Sequence, residues 1–530
     1  MRNWIVVLCI VFLAGCSQHT SQQQPKVFRY NQASGISSLD PAFAKDQGVI
    51  WACNLIFNSL VALDEQMNIV PSLARRWEIS EDGLTYTFYL RDDVFFHNDQ
   101  CFANGIGRKV TASDVVYSFS RLIDPAVASP GAWIFNGKVS EKGPFVAIND
   151  TVFQLRLKQR FPPLLGILSM QYCSILPEEA VSKYGKDFRA HPVGTGPFCF
   201  KKWEEGTALF LSKNSKYFER DEDGNPLPFL DGVKVSFMDN KKTEFLAFKQ
   251  KQLDMISGID AAYIDEILDD GGRLKQSWAG KAIFQKAPYL NTEYLGFYLG
   301  SGNEPNPFKD KNLRKAINYG INREEIIHFL RNGLGRSGKN GFVPYGIPSF
   351  DSTLQGYEFS KEKALYYLKK SAYKGQELKL YTNESYRDIA VLVCKQLESI
   401  GIKAKPEIAQ ASLLREWMSN GKVGWFRGSW LADYPDAENY FAVFYGKNSA
   451  PPNYTRYSNP LFDKIYEAAL AENDLIKRQI YYRTLDSMII EDAPVVVLYY
   501  DEVLRLLQPG ITGVSVNAQN LLDLRRAKLP

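Results

Sequence analysis

The chain has 530 residues, 45% of them hydrophobic, which is too long for one ordinary core and predicts two or more domains. Charged residues make up 23% and the formal net charge is +4, with no long run of Lys or Arg along which a polyanion could lie, so nucleic acid is not an expected partner. No period of about 20 to 50 residues repeats, and the only low-complexity tract is a short polar stretch near the start, which disfavours solenoids and propellers.

Arg2 opens the chain with a positive charge, the eleven residues from Trp4 to Ala14 are apolar, and the small residues Ala14 and Gly15 precede Cys16. That run is too short to span a bilayer, which needs about 20 residues, and suits a secretion signal. The order FLAGC resembles the bacterial lipobox, in which the Cys becomes the first mature residue and carries lipid. Residues 1–15 are therefore read as a lipoprotein signal peptide, Cys16 as the lipid attachment point, and residues 16–26 as the lipidated Cys with its polar tether.

ARRWEIS and LTYTFYL are rich in β-branched and aromatic residues and flank an Asp-Gly turn signal, so residues 74 to 90 read as a hairpin. Thr111 is placed to cap a helix with Asp114 three residues on, and Val115, Phe119, Leu122 and Ile123 follow at helical spacing until Asp124-Pro125. VFQLRLK and LFLSKN read as further strands, and the first 280 residues or so look α+β. In the second half, ELKLYTN reads as a strand, SYRDIAVLVCKQLESIG as a helix ending at Gly401, and IKAKPEI as a returning strand, which is the pattern of a parallel βαβ unit. A helix over SLLREWMSN and a strand over WFRGSW come next. Asp433 therefore leaves the carboxyl end of a strand in an α/β sheet, the edge beside which such sheets place ligands. An acid there among aromatic rings is either paired with its neighbour Arg427 or kept for a positive charge from outside.

HExxH, GxSxG and CxxC are absent and the chain holds four His, which leaves a metal or Ser-His enzyme little to work with. GTGPFC lacks the third Gly of a dinucleotide fingerprint and reads as a turn. GLGRSGKN matches a phosphate loop at Gly333, Gly338 and Lys339, but Asn340 stands where Ser or Thr should hold magnesium and the segment follows a helix. DEDG at 221–224 lacks the rest of a calcium loop. Beyond the leader and Cys16 the cysteines are Cys53, Cys101, Cys173, Cys199 and Cys394; an odd number leaves at least one thiol free, with one or two disulfides open.

PSLARRWEISEDGLTYTFYLRDDVFFHN, residues 71 to 98, resembles the N-terminal signature of the extracellular solute-binding proteins, family 5, which serve oligopeptide and dipeptide ABC importers. SSLDPA, TASDVVYSFSRLIDP, PVGTGPFCFKKWEEGTALFLSKN, NLRKAINYGINREEII and SWLADYPDAENYF resemble further family blocks, in the same order. The resemblance implies an α/β chain of mixed α+β lobes: a two-lobed periplasmic-binding-protein-like fold (type II, cluster C) with an extra inserted subdomain, closing by hinge motion. It implies lobe I from residues 27–55, 190–285 and 500–530, the inserted subdomain from 56–189, and lobe II from 286–499.

The same resemblance implies site residues. The Asp of the W-x-x-D block receives a peptide's α-ammonium, and here that residue is Asp433, three after Trp430. Main-chain contacts are implied for Trp430, Leu431 and the segment around Ile36, and a ligand carboxylate for Arg427, whose planar fork suits it. The partners implied are a peptide, a membrane permease with a separate ATPase, and the membrane itself through the anchor; the protein is expected to be an extracytoplasmic monomer, with no enzymatic activity, metal or cofactor. NDQCFANGIGRK lengthens the usual link between two of the blocks. Because the family also includes binders of nickel, haem, opines and sugars, another small solute stays open as the ligand. From other classes, an exported hydrolase and a sensory or adhesive surface lipoprotein stay open as well.

Overall fold

The computed structural model describes residues 25–33, 35–301 and 306–530. The leader, Cys16 and most of the tether lie outside the described residues. None of the helices among the described residues is long and apolar enough to cross a membrane.

The described chain opens with strand β1 (Val27–Asn31), whose alternate side chains are buried, and helix α1 (Gln47–Ile56), which buries Trp51, Leu55 and Ile56. The segment between them is pinned by Asp40, which caps the turn at Ala42 and binds Arg121 through both oxygens at 3.0 and 2.6 Å. Next comes a small four-stranded antiparallel sheet: β2 (Ala74–Ile79), β3 (Thr85–Leu90), β4 (Phe145–Asn149) and β5 (Val152–Arg156), in the spatial order β2-β3-β5-β4. Helix α2 (Ala112–Ile123) packs on it with Phe119 among Phe135, Phe145 and Phe153, and starts at a reciprocal Thr111–Asp114 capping box, as the sequence predicts.

Strands β6 (Phe198–Glu204), β7 (Ala208–Lys213), β8 (Gly232–Ser236) and β9 (Met255–Ser257) return the chain to β1. Gly194, in the GTG stretch, lies so close to α1 that a Cβ there would stand 2.1 Å from the Ile56 carbonyl oxygen, so these glycines serve backbone packing. Strand β10 (Ile283–Phe297) leads to β11 (Leu378–Thr382), helix α3 (Arg387–Glu398), β12 (Ala404–Ile408), helix α4 (Ala411–Ser419), β13 (Trp425–Leu431) and, near the end, β14 (Val495–Leu507). β11 and β12 are parallel, in register from Leu378↔Ala404 to Thr382↔Ile408, which is the βαβ unit expected.

One sheet of 11 strands runs through the molecule in the order β12-β11-β13-β10-β14-β9-β1-β8-β7-β6, with the short pair Arg336–Ser337 beside β14. Its two halves belong to separate cores. Phe28, Trp51, Leu209 and Leu522 lie in one, and Tyr294, Phe342, Phe441 and Leu485 in another. Among the described strands, only β10 and β14 cross between them. Their first half pairs Ile283–Pro288 with Leu507–Glu502, their second pairs Thr292–Gly296 with Tyr500–Val495, and the register breaks between Pro288 and Thr292. β14 is largely apolar, with Arg505 its one buried charge, and is buried on both faces except at Asp501 and Glu502, which sit at this break. An antiparallel ladder interrupted at its middle is the place where the two halves can bend relative to each other.

All five cysteines among the described residues are free thiols, so the one or two disulfides left open by the sequence are not formed.

Candidate functional site

β13 forms because Trp425 and Phe426 are buried between the cores on either side of the sheet, and Gly428 keeps it flat against β10: a Cβ at 428 would meet the Tyr294 ring at 2.5 Å. On one side β13 pairs with β10 along its whole length, from Phe297↔Trp425 to Asn291↔Leu431. On the other, β11 reaches it only at Tyr381↔Phe426. The ladder beyond, Gly428–Leu431, is thus an open strand edge, and Leu431 is 45% exposed there. Such an edge offers unpaired backbone N–H and C=O groups to an extended peptide.

Asp433 follows directly. Its backbone is held from both sides of the sheet break: Ala432 N–H donates to the Leu290 carbonyl at 2.9 Å, and Gln519 Nε2 donates to the Asp433 carbonyl at 3.1 Å. Trp430 Nε1 donates to Asn439 Oδ1 at 2.9 Å, and Asn439 in turn hydrogen-bonds the Asp433 carboxyl. Asn439 is buried and orients both side chains. Asp433 is an exposed residue, yet protein crowds its carboxyl from several directions; desolvation pushes its pKa above the ordinary aspartate value, and the Asn439 hydrogen bond pulls it back. No Lys or Arg pairs with it among the described residues. Its negative field raises the hydroxyl pKa of Tyr440 beside it and of Tyr172, which belongs to the opposite core, after the desolvation both tyrosines suffer. Next to Asp433, Tyr434 stacks on Trp133, centroids 6.4 Å apart. Asp433 therefore faces the gap between the two halves.

Arg427 is elsewhere engaged. Its Nε and Nη2 clasp Glu293 of β10 at 2.9 and 2.6 Å, with Arg427 14% and Glu293 3% exposed, and the Tyr386 ring covers the guanidinium at 3.5 Å. Burial lowers the Arg427 pKa, but Glu293 more than restores it; burial likewise pushes the Glu293 carboxyl up against the pull of Arg427. The fork geometry is that of a charged pair. Of the two partners considered for Asp433, Arg427 is thus excluded in this structure. Ile36 is half-buried against the first core, just ahead of the Asp40–Arg121 anchor.

Beside the sheet break lies a cavity of ≈ 560 Å³, lined by Gln32, Gln47 and Trp51 on one half, Arg331 on the other, and Tyr289 and Asp501 of the crossing strands. It also touches Asn520, the neighbour of Gln519 that holds Asp433. Arg331 donates to Asp501 at 2.5 Å and to Tyr499 Oη at 3.0 Å. A larger cavity of ≈ 780 Å³ is reached by Asn58, Ser174, Lys286 and Arg525; none of Asp433, Trp430, Leu431, Arg427 and Ile36 lines either cavity. No group of His, Cys, Asp and Glu among the described residues is arranged to hold a metal ion.

Sequence reasoning brought Asp433, Trp430 and Leu431 together on one strand end. It missed Asn439, Glu293, Arg331, Asp501, Tyr172 and Trp133. Asp501 carried a signal, as one of two adjacent acids in a largely apolar strand; Glu293, in a strand of mixed polarity, and the two aromatic residues carried none.

The family model of bacterial extracellular solute-binding proteins, family 5, matches residues 68–452. The chain belongs to this family. Among curated relatives, this solute-binding protein is 27% identical to haem-binding protein A of Haemophilus influenzae over 86% of its own length and 84% of the relative's. It is 25% identical to the dipeptide-binding protein of Escherichia coli, over 85% and 84%. Among solved structures it is similar to the periplasmic binding protein DppA of Helicobacter pylori in complex with the peptide STSA, at 25% identity and a TM-score of 0.74, covering 96% of this chain and 100% of that one. The two halves of the sheet joined by β10 and β14 belong to the two lobes of this solute-binding protein.

Proposed function

We propose that the protein is the extracytoplasmic peptide receptor of an ABC importer, binding di- or oligopeptides between its lobes and handing them to a membrane permease. The observation that carries this reading is Asp433: a carboxylate with no cation partner among the described residues, oriented by Asn439, at the end of an open strand edge and facing the other lobe. A peptide laid along Gly428–Leu431 supplies both complements, a backbone for the edge and an α-ammonium for the acid. Trp430 walls the site and Leu431 and the Ile36 segment supply main-chain contacts. The lobes move as the bodies 27–55 with 190–285 and 500–530, and 286–499, the region 56–189 riding on the first. The receptor is a monomer without catalytic turnover, tethered to a bacterial membrane through lipid on Cys16.

The similarity to a haem-binding relative makes haem the second candidate ligand. It is the weaker one, because no His lines the cavity at the sheet break. Uptake separates the two: a strain lacking this protein should lose growth on peptides as sole source of a required amino acid and keep haem use. Loss of haem use with peptide use intact would reverse the assignment.

A further inference from the structure

The charges around the cleft are matched in an uneven way. Arg427 is held by Glu293 through two hydrogen bonds, under the Tyr386 ring. Arg331 is held by Asp501, and Lys241, which lines the same cavity as Arg331, binds Glu244 at 2.8 Å. Glu293, Arg427, Asp501 and Arg331 form one electrostatic cluster, since all four act on the Tyr386 hydroxyl. Arg427, Arg331 and Lys241 each already have a carboxylate in the protein, while Asp433 has no cation among the described residues.

From this pattern, and resting on the peptide reading above, we propose that the cleft reads a ligand's amine but not its carboxylate: its ligands are amine-bearing and carry no free carboxylate inside the gap. C-terminally amidated or otherwise masked peptides fit, as do net cationic ones. The reasoning is one of balance. An amine neutralises Asp433 and leaves the Arg427–Glu293 and Arg331–Asp501 pairs intact. A carboxylate entering beside it could take Arg427 or Arg331 only by detaching it, and that would strand Glu293 or Asp501 as an unpaired acid in a half-dry site. Exchanging one carboxylate for another around the same guanidinium gains nothing, and the displaced acid then repels the newcomer. The internal acids of β10 and β14 thus serve as specificity-determining residues that occupy the arginines in advance.

The test compares tri-alanine with its C-terminal amide and its N-acetyl form by calorimetry on the intact protein stripped of bound material. The amide should bind at least as tightly as the free acid, and the N-acetyl form should lose binding. A free acid about tenfold tighter than the amide, with acetylation still harmful, overturns the proposal and leaves the peptide reading standing. Equal binding of the acetylated form, or no binding of any of the three, overturns the peptide reading itself. Glu293→Gln, which releases Arg427, should shift the preference about tenfold toward the free acid. Because Glu293 is buried and that variant could fail to fold, Asp501→Asn, which releases Arg331 at a more exposed position, provides the same readout. A folded variant of either kind with unchanged preference contradicts the role given to the internal acids.

Discussion

Replacing Asp433 by Asn keeps the side chain's size and its hydrogen bond to Asn439 and removes only the charge. An ammonium about 4 Å from a carboxylate at an effective dielectric constant of about 20 gains about 4 kcal/mol. Asp433 is crowded by protein yet open to solvent on the gap side, so water screens part of this, and a loss of about 2 kcal/mol is the working value, equivalent to roughly thirtyfold in affinity. Calorimetry with a short peptide should show that loss, with the midpoint of thermal unfolding unchanged in the absence of peptide. The stricter form is a cycle with the N-acetylated peptide: acetylation and Asp433→Asn should each weaken binding, and together hardly more than either alone, because both remove one interaction. If the two losses add in full, the ammonium and Asp433 do not meet, and the reasoning fails.

Three further outcomes are expected. Since ammonium binding favours the ionised form of an Asp433 carboxyl whose pKa is raised in the free protein, affinity should be flat with pH near neutrality. It should fall below that raised pKa, starting at a higher pH than an ordinary aspartate would give, and Asp433→Asn should abolish the slope; a wild-type curve flat down to about pH 4 contradicts this. Gly428→Ala drives a Cβ to 2.5 Å from the Tyr294 ring and should destabilise the second lobe by roughly 1 to 3 kcal/mol in denaturant unfolding, where wild-type stability would show the contact to be tolerated. Buried His97 donates from Nε2 to the Gly196 carbonyl, 2.9 Å away, with its pKa lowered to about 4 by burial. The unfolded chain binds that proton below about pH 6.5, so stability should fall as pH drops from there toward 4, by at most about 3 kcal/mol, and His97→Gln should flatten the trend in thermal melts; an unaltered trend assigns it to other groups.

Local elements were legible in the sequence because short-range chemistry fixes them. The Thr111–Asp114 capping box, the hairpin around Asp82-Gly83 and the strand-helix-strand of 378–408 needed only nearest neighbours to be read. The site was legible in part for the same reason: Trp430, Leu431 and Asp433 lie within four consecutive residues. What makes Asp433 different from Arg427 was not legible. Glu293 lies 134 residues from Arg427, and only the antiparallel pairing of β10 with β13 brings them together. The same holds for Tyr172 and Trp133, which lie far from Asp433 in the sequence, and for the single sheet through both lobes, whose crossing at Asp501–Glu502 shows in the sequence only as two acids in a largely apolar strand. The free thiols could not be settled by counting, since connectivity depends on distances in space.

A crystal structure of the protein with the material that co-purifies with it bears most directly on the account. It should show an extended ligand along Gly428–Leu431 with an amine nitrogen about 3 Å from the Asp433 carboxylate and the Arg427–Glu293 pair intact. A ligand seated away from Asp433, or one presenting a neutral or anionic group to it, would contradict the central claim.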